Sequence, residues 1–350
     1  MMGRSAGECP RAPVRPAEAT AEGLSDGPES RSQARDAAFG ATPQTLPGTS
    51  ADPELRWLAA VTLGGQGRYA AAATELERLA AEPGVPLRVA AHAAVTRAAH
   101  LRQLGGHAAA KAHDARGLRL ATAACCAQDR GALCDDATGD GAGDGAGDGL
   151  DARAARIDAL VGLAADALGL GDLGASRRLL DAAAPRLEEH PSWRPAVRAG
   201  WVRAELALVR GRAAEAVGPA ESALAGSAAA GSVRHLLKSR VVLVVACAAA
   251  GSLDAAEAVT ELDAIADRCT RYGQLPLQWP AALAAADLQE RINERVAYPA
   301  GSSLSGRSTG ATRRRHAARA ALSVIECRSD PVGKRQMGES VWIPRSVTLM

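Results

Sequence analysis

Arg88, His92 and Thr96 stand four residues apart in LRVAAHAAVTRAAHLRQ (87–103), a stretch that is otherwise largely alanine. On a helix, side chains four apart stack along one face, so the three form a polar stripe, which His100 and Gln103 continue with some drift. Two later segments carry stripes of the same kind: Arg194, Arg198 and Glu205 in one, Arg234 and Lys238 in the other. Guanidinium groups hold carboxylates through paired, charge-assisted hydrogen bonds. If these stripes share one surface, it is cationic and favours an acidic or carboxylate-ended partner. If they do not, each is an ordinary solvated face.

The remaining reactive residue types point away from catalysis. Cys125, Cys126 and Cys134 follow His107 and His113, but zinc favours two pairs of ligands with short internal spacing, and two adjacent cysteines do not supply that. Cys125 and Cys126 are expected to pack at a helix end, Cys134 to lie in a loop, and no metal or cofactor is expected. Cys247 and Cys269 sit in apolar helical patterns and read as core. No phosphate-binding loop, no dinucleotide fingerprint after a strand and no helical zinc-protease motif is present. No catalytic residue is therefore assigned, and a metal-binding or thiol-reactive enzyme is a remote third reading. Trp193, Trp201 and Trp279 read either as core anchors at repeat junctions or as an aromatic recognition pocket.

Elements must position these residues, and composition says which kind. The chain is 47% hydrophobic, yet only nine of its 350 residues are aromatic, and alanine dominates. Alanine has the best helix propensity, while a β-branched run of the kind strands prefer is almost confined to 241–245. The class is all-α. A net charge of +2 implies no general pull towards nucleic acid or anionic membrane. Seven scattered cysteines, odd in number, suit a reducing cytosol rather than a disulfide framework. There is no secretory leader pattern, and the longest apolar run, VVLVVACAAAG (241–251), falls well short of the roughly 20 residues that span a bilayer. A soluble, cytoplasmic protein is expected.

Residues 1–51 are rich in Pro, Ser and Gly and are expected to be disordered. At Asp52-Pro53-Glu54 the text changes to an N-cap, a helix-initiating proline and a first-turn acid. Helical periodicity follows, as in Ile157, Leu160, Val161, Ala164 and Leu168. Between helices a similar turn recurs: GRYAAA (67–72), GHAAAK (106–111), GDLGAS (171–176), GRAAEA (211–216) and GSLDAA (251–256). The leading glycines are 39, 65, 40 and 40 residues apart, and a fixed period marks a stacked helical solenoid. The long interval holds GDGAGDGAGDG (139–149), which lacks both the closing glutamate of an EF-hand and the apolar anchor of a β-roll. It reads as a solvated spacer within an insertion at about 127–151.

The best copies, LGGQGRYAAAATELERLA (63–80) and LVRGRAAEAVGPAESALA (208–225), resemble the tetratricopeptide repeat (TPR). The period is longer than the usual ~34 residues, and the Trp, Tyr and Pro marks are mostly alanine, with Trp57 and Tyr69 nearest to pattern. The Ala/Arg/Gly-rich composition also resembles that of poorly characterised TPR-like proteins of high-GC actinobacteria. The resemblance implies a right-handed α-solenoid of about five helical hairpins over 52–298, whose inner face binds another protein or a peptide and is lined by the polar stripes. Residues 299–350, with eight arginines, one lysine and three acids, read as a disordered basic tail or as the product of a shifted reading frame. Nucleic acid is not expected as a partner except through that tail, and no membrane contact is expected. The function this supports is a non-catalytic adaptor or scaffold, with a regulatory module for a transcription or signalling partner as the alternative.

Overall fold

A computed structural model of the chain describes residues 27–45, 48–134, 149–296 and 308–344, and every regular element among them is an α-helix. The first hairpin begins where the sequence places its cap. Asp52 accepts a hydrogen bond from the Glu54 amide at 2.8 Å, and Pro53 opens α2 (Pro53–Gly65). Its partner is α3 (Tyr69–Ala81). The next pairs are α4 (Leu87–Gln103) with α5 (His107–Cys134), and α6 (Ala152–Gly169) with α7 (Leu173–Glu189). Then come α8 (Trp193–Val209) with α9 (Ala213–Ala229), α10 (Val233–Ala250) with α11 (Ala255–Arg271), and α12 (Leu275–Val296) with α13 (Ser308–Cys327). Two shorter helices flank the pairs, α1 (Pro28–Phe39) before them and α14 (Pro331–Glu339) after.

Each of the first five pairs turns on a glycine in the left-handed region, as at Gly171 (φ 82°) and Gly251 (φ 75°), which closes the preceding helix. In the second hairpin that residue is Gly105 (φ 75°) rather than Gly106. The first helices of successive pairs pack side by side, α2 on α4, α4 on α6, α6 on α8, α8 on α10 and α10 on α12. They form the inner wall of the array. Expected apolar faces are buried, with Ile157, Val161 and Ala164 in one core cluster and Ala258, Leu262, Ile265 and Cys269 in another.

Three sequence expectations are corrected. The described chain has fourteen helices, six of the pairs among them, rather than about five hairpins. The sixth pair was hidden because the buried face of α13 consists of Ala311, Ala318, Ala321, Leu322 and Ile325, a mainly alanine stripe among arginines. Parts of both end segments are helical, at 28–39, 308–327 and 331–339. Finally, α5 continues to Cys134, so the insertion begins as helix, not loop. Most of GDGAGDGAGDG lies outside the described residues. The helix beyond it is capped by Asp151, which accepts from the Ala154 amide at 2.9 Å.

The two ends of the array meet. The Pro43 carbonyl accepts from Gln66 Nε2 at 3.1 Å, beside the first pair, and from Gln274 Nε2 at 3.4 Å, beside the last. The Val233 amide donates to the Gly40 carbonyl at 3.1 Å. On the other side, Tyr69 and Leu104 share a core with Leu322, Ile325, Met337 and Ile343, and the Ala70 amide donates to the Arg328 carbonyl at 2.8 Å. The basic run is partly committed too: Arg314 forks onto Asp263 at 2.8 and 2.6 Å, and Arg315 reaches Glu290 and Asp287. The curved groove expected from the sequence is thereby bounded by residues from both ends of the array.

Arg97 tests this closure. It is 2% exposed and pairs with Asp330 at 2.7 Å and Glu77 at 3.2 Å. Asp330 also caps α14 through the Gly333 amide. Asp330→Ala is expected to cost about 3 kcal/mol, because it leaves a buried guanidinium short of its nearer partner. Urea unfolding measures this, and a loss below about 0.5 kcal/mol, the range of neutral surface changes, would show that α14 does not hold the ring closed.

Candidate functional site

The inner wall lines a cavity of about 530 Å³, within the size range of ligand pockets. Every first helix from α2 to α12 contributes to it, together with Phe39 at the end of α1 and Trp342 and Ile343 beyond α14. Its charge comes from five cations, Arg102, Arg194, Arg198, Arg234 and Lys238, against Asp158 and Glu205. Asp158 is fully buried and receives Arg194 and Arg198, each at 2.5 Å. Arg194 also donates to the Gly149 carbonyl at 2.5 Å, which ties α8 to the start of α6. The two guanidinium groups hold the Asp158 carboxyl below its ordinary range although burial pushes the other way.

Lys238 pairs with Glu205 at 2.8 Å. Arg102 pairs with Asp114 and, at 3.0 Å, with Asp166. Both of these carboxyls are fully buried side chains, and burial raises both; the Asp166 charge adds to the rise at Asp114, which is pushed up to about 8. Two carboxyls face one guanidinium there, so the Arg102 group leaves no positive charge over. Two arginines on one Asp158 leave one positive charge over, and Arg234, which has no anionic partner among the described residues, leaves a second.

The histidines add no charge. His92, His100, His107 and His235 line the cavity, and burial lowers the pKa of each, His92 to about 4. His92 Nε2 donates to the Asp151 carbonyl at 3.0 Å, and its ring stacks on Trp57 at 4.6 Å. His235 stacks on Trp201 at 5.5 Å and meets Trp193 edge-on at 4.9 Å. Five of the nine aromatic residues in the chain, Phe39, Trp57, Trp201, Trp279 and Trp342, line this one space. The cavity presents ring faces and cations together.

Of the residues the sequence singles out, His92, Thr96, Arg194, Arg198, Glu205, Arg234 and Lys238 line the cavity, with His100 and Gln103. Arg88 does not; it lies on α4 a turn before His92 and pairs with Glu54 at 2.7 Å. Arg194 is only 5% exposed and holds the wall together. Trp201 and Trp279 face the cavity, whereas Trp193 packs behind His235. Sequence reasoning missed Asp158 and Asp166. Their signal was present, as two acids interrupting the apolar pattern of α6. Among the described residues Cys125 and Cys269 are buried, Cys126 is exposed, and no cluster of three metal-ligating side chains occurs. The run GRSTG (306–310) spells Gly-x-Ser-x-Gly; a nucleophile elbow needs a strand before its serine, and Ser308 opens α13 while the residues just before it lie outside those described.

No family model matches the chain, and no curated protein matches it. Among solved structures, it is similar to a Rap protein complexed with Competence and Sporulation Factor, with a TM-score of 0.54 and 14% identity. The match covers 78% of this chain and 65% of that one, so this chain spans slightly less than two thirds of the length of its structural neighbour. The likeness is one of fold, a TPR-like helical repeat.

Two pH responses follow. The folded chain keeps His92 neutral down to about pH 4, while the unfolded chain protonates it below about 6.5. The unfolded state then binds more protons, so stability is lost as pH falls through that window. His92→Gln keeps a donor for Asp151 and is expected to make the decline in unfolding free energy shallower by close to one proton; an unchanged slope would contradict the assignment. Asp114 has the opposite sign. Its raised carboxyl holds a proton in the folded state that the unfolded state releases, so its contribution is lost as pH rises towards about 8. Asp114→Asn, which mimics the protonated form, is expected to gain stability relative to the wild type as pH rises from about 4 to about 8 in the same assay.

Proposed function

We propose that the chain is a non-catalytic cytosolic binding scaffold that takes an acidic peptide segment into its inner cavity. The observation that carries this reading is the composition of the inner wall, where about two positive charges remain after every ion pair is counted, beside ring faces able to take apolar side chains. Surplus charge of one sign selects a partner of the other and rejects like charge. The likeness to a Rap protein solved with a bound factor supports a binding role for the fold. Free cysteines among the described residues are consistent with a reducing compartment, and no described helix is long and apolar enough to cross a membrane.

A second reading, a ligand-responsive regulatory module, is favoured by one feature. Phe39 and Trp342 come from the two segments that close the ring, and both line the cavity. An occupant touching them would bias how the ends meet, which is how a ligand shifts a conformational equilibrium. A nucleic-acid role for the basic tail gains less support, since Arg314 and Arg315 are engaged with acids of α11 and α12.

The test compares short peptides rich in glutamate, in neutral polar residues and in lysine, read by thermal stabilisation of the full chain. Acidic peptides are expected to raise the melting temperature and lysine-rich ones to leave it unchanged. An Arg198→Gln, Lys238→Glu double variant is expected to lose at least about tenfold in affinity for the acidic set, the scale of a lost charge-assisted contact. Equal stabilisation by acidic and basic peptides would remove this reading.

A further inference from the structure

Arg234 projects from the first turn of α10 into the cavity. Its stem lies against Gly65 at the end of α2; a methyl group there would stand 3.4 Å from its Cδ and 3.5 Å from its Nε. Unlike the other cavity cations it makes no ion pair or hydrogen bond with any described residue. The titratable groups that bear on it are Tyr69 and the like-charged Arg198, and burial together with Arg198 depresses its own pKa. His100, whose pKa falls through burial and then through the Arg234 charge, offers it no anion. Two buried polar atoms in the same region also lack partners, Gln274 Oε1 and His100 Nδ1. A half-buried guanidinium without an anion is poorly compensated, and an arriving carboxylate can hold it with two parallel hydrogen bonds.

What surrounds this cation limits what the carboxylate can be attached to. Trp201 and Trp279, both half-buried, line the space with Val241. A volume of about 530 Å³ admits a small molecule or the end of a chain, but not a folded partner. Resting on the binding role proposed above, we infer that Arg234 anchors a terminal carboxylate carried on an apolar or aromatic body, with Arg198 adding long-range attraction and the tryptophan faces taking the body. A peptide C-terminus ending in an apolar residue and a free aromatic acid share this chemistry.

The experiment titrates the full-length protein with four probes and follows tryptophan fluorescence. They are phenylacetate, phenylacetamide, glycyl-glycyl-phenylalanine with a free C-terminus, and the same tripeptide amidated. At least one acid is expected to saturate and to bind about tenfold or more tighter than its amide. A tighter tripeptide acid identifies a peptide C-terminus; tighter phenylacetate identifies a free organic acid. Arg234→Gln is expected to abolish the preference for acid over amide, and Arg234→Lys to retain part of it. Should Arg234→Gln not fold, the acid-to-amide ratio of the wild type still decides. Equal binding of acids and amides, or an unchanged preference in Arg234→Gln, overturns the anchor while leaving the cavity a binding site. Absence of saturation by all four overturns the anchor too, and leaves the acidic-peptide panel to decide the wider reading.

Discussion

The pair of arginines closing on Asp158 is the interaction around which the interior is arranged. Asp158 stands on α6, Arg194 and Arg198 on α8, and Arg194 reaches back to the Gly149 carbonyl before α6 begins. A carboxylate with no exposure is tolerable only when its charge is matched and its oxygens are held. Here it is overmatched, two cations to one anion, and that excess sets the sign of the cavity. Neighbouring features depend on this placement: the His92 ring, seated on Trp57 and bonded to Asp151, and Phe39, which lies under the Arg194 guanidinium at 5.0 Å.

So much charge can be buried because the helices approach closely without filling the space between them. Glycines on inner helices face the polar groups. A methyl at Gly162 would fall 2.3 Å from Asp114 Oδ2, and one at Gly64 1.9 Å from His100 Nε2. Distances of that kind require the neighbour to move. Elsewhere alanine plays the part of leucine, as at Gly200, which sits against the Pro219 carbonyl and Ala223 of α9. An interior built from small residues has little area per residue to stabilise it. Joining the two ends, through the Pro43 carbonyl on one side and the Tyr69–Ile325–Met337 cluster on the other, buries surface that an open array would expose.

The closed ring also changes what the TPR-like fold presents. An open superhelix offers a long groove to an extended partner; this one offers a compact cavity whose walls come from all six first helices. Trp342, 56% exposed and donating to the Gly169 carbonyl at 3.2 Å, is a cavity wall supplied from the far end of the sequence. The site is thus assembled from both termini as well as from the repeats.

Local signals carried much of this. Periodicity and caps placed the helix starts at Asp52 and the turns at Gly171, Gly211 and Gly251, because caps and left-handed glycines are decided within a few residues. The four-residue spacing of His92 and Thr96 put them on one face of α4, and seven of the eight stripe residues line one cavity because in a stack of like hairpins the same face of each first helix points inward. Arg88 left the group, its guanidinium paired with Glu54, which is distant in sequence. Whether a given charge is free or committed was equally illegible: Arg194 and Arg234 look alike in the sequence, and only the position of Asp158 separates them. The same holds for α13, whose alanine face is no stronger a local signal than a tail until α12 lies against it. Backbone geometry and face are properties of short segments, whereas ion-pair partners, burial and ring closure depend on residues far apart in the chain, and those the tertiary structure alone decided.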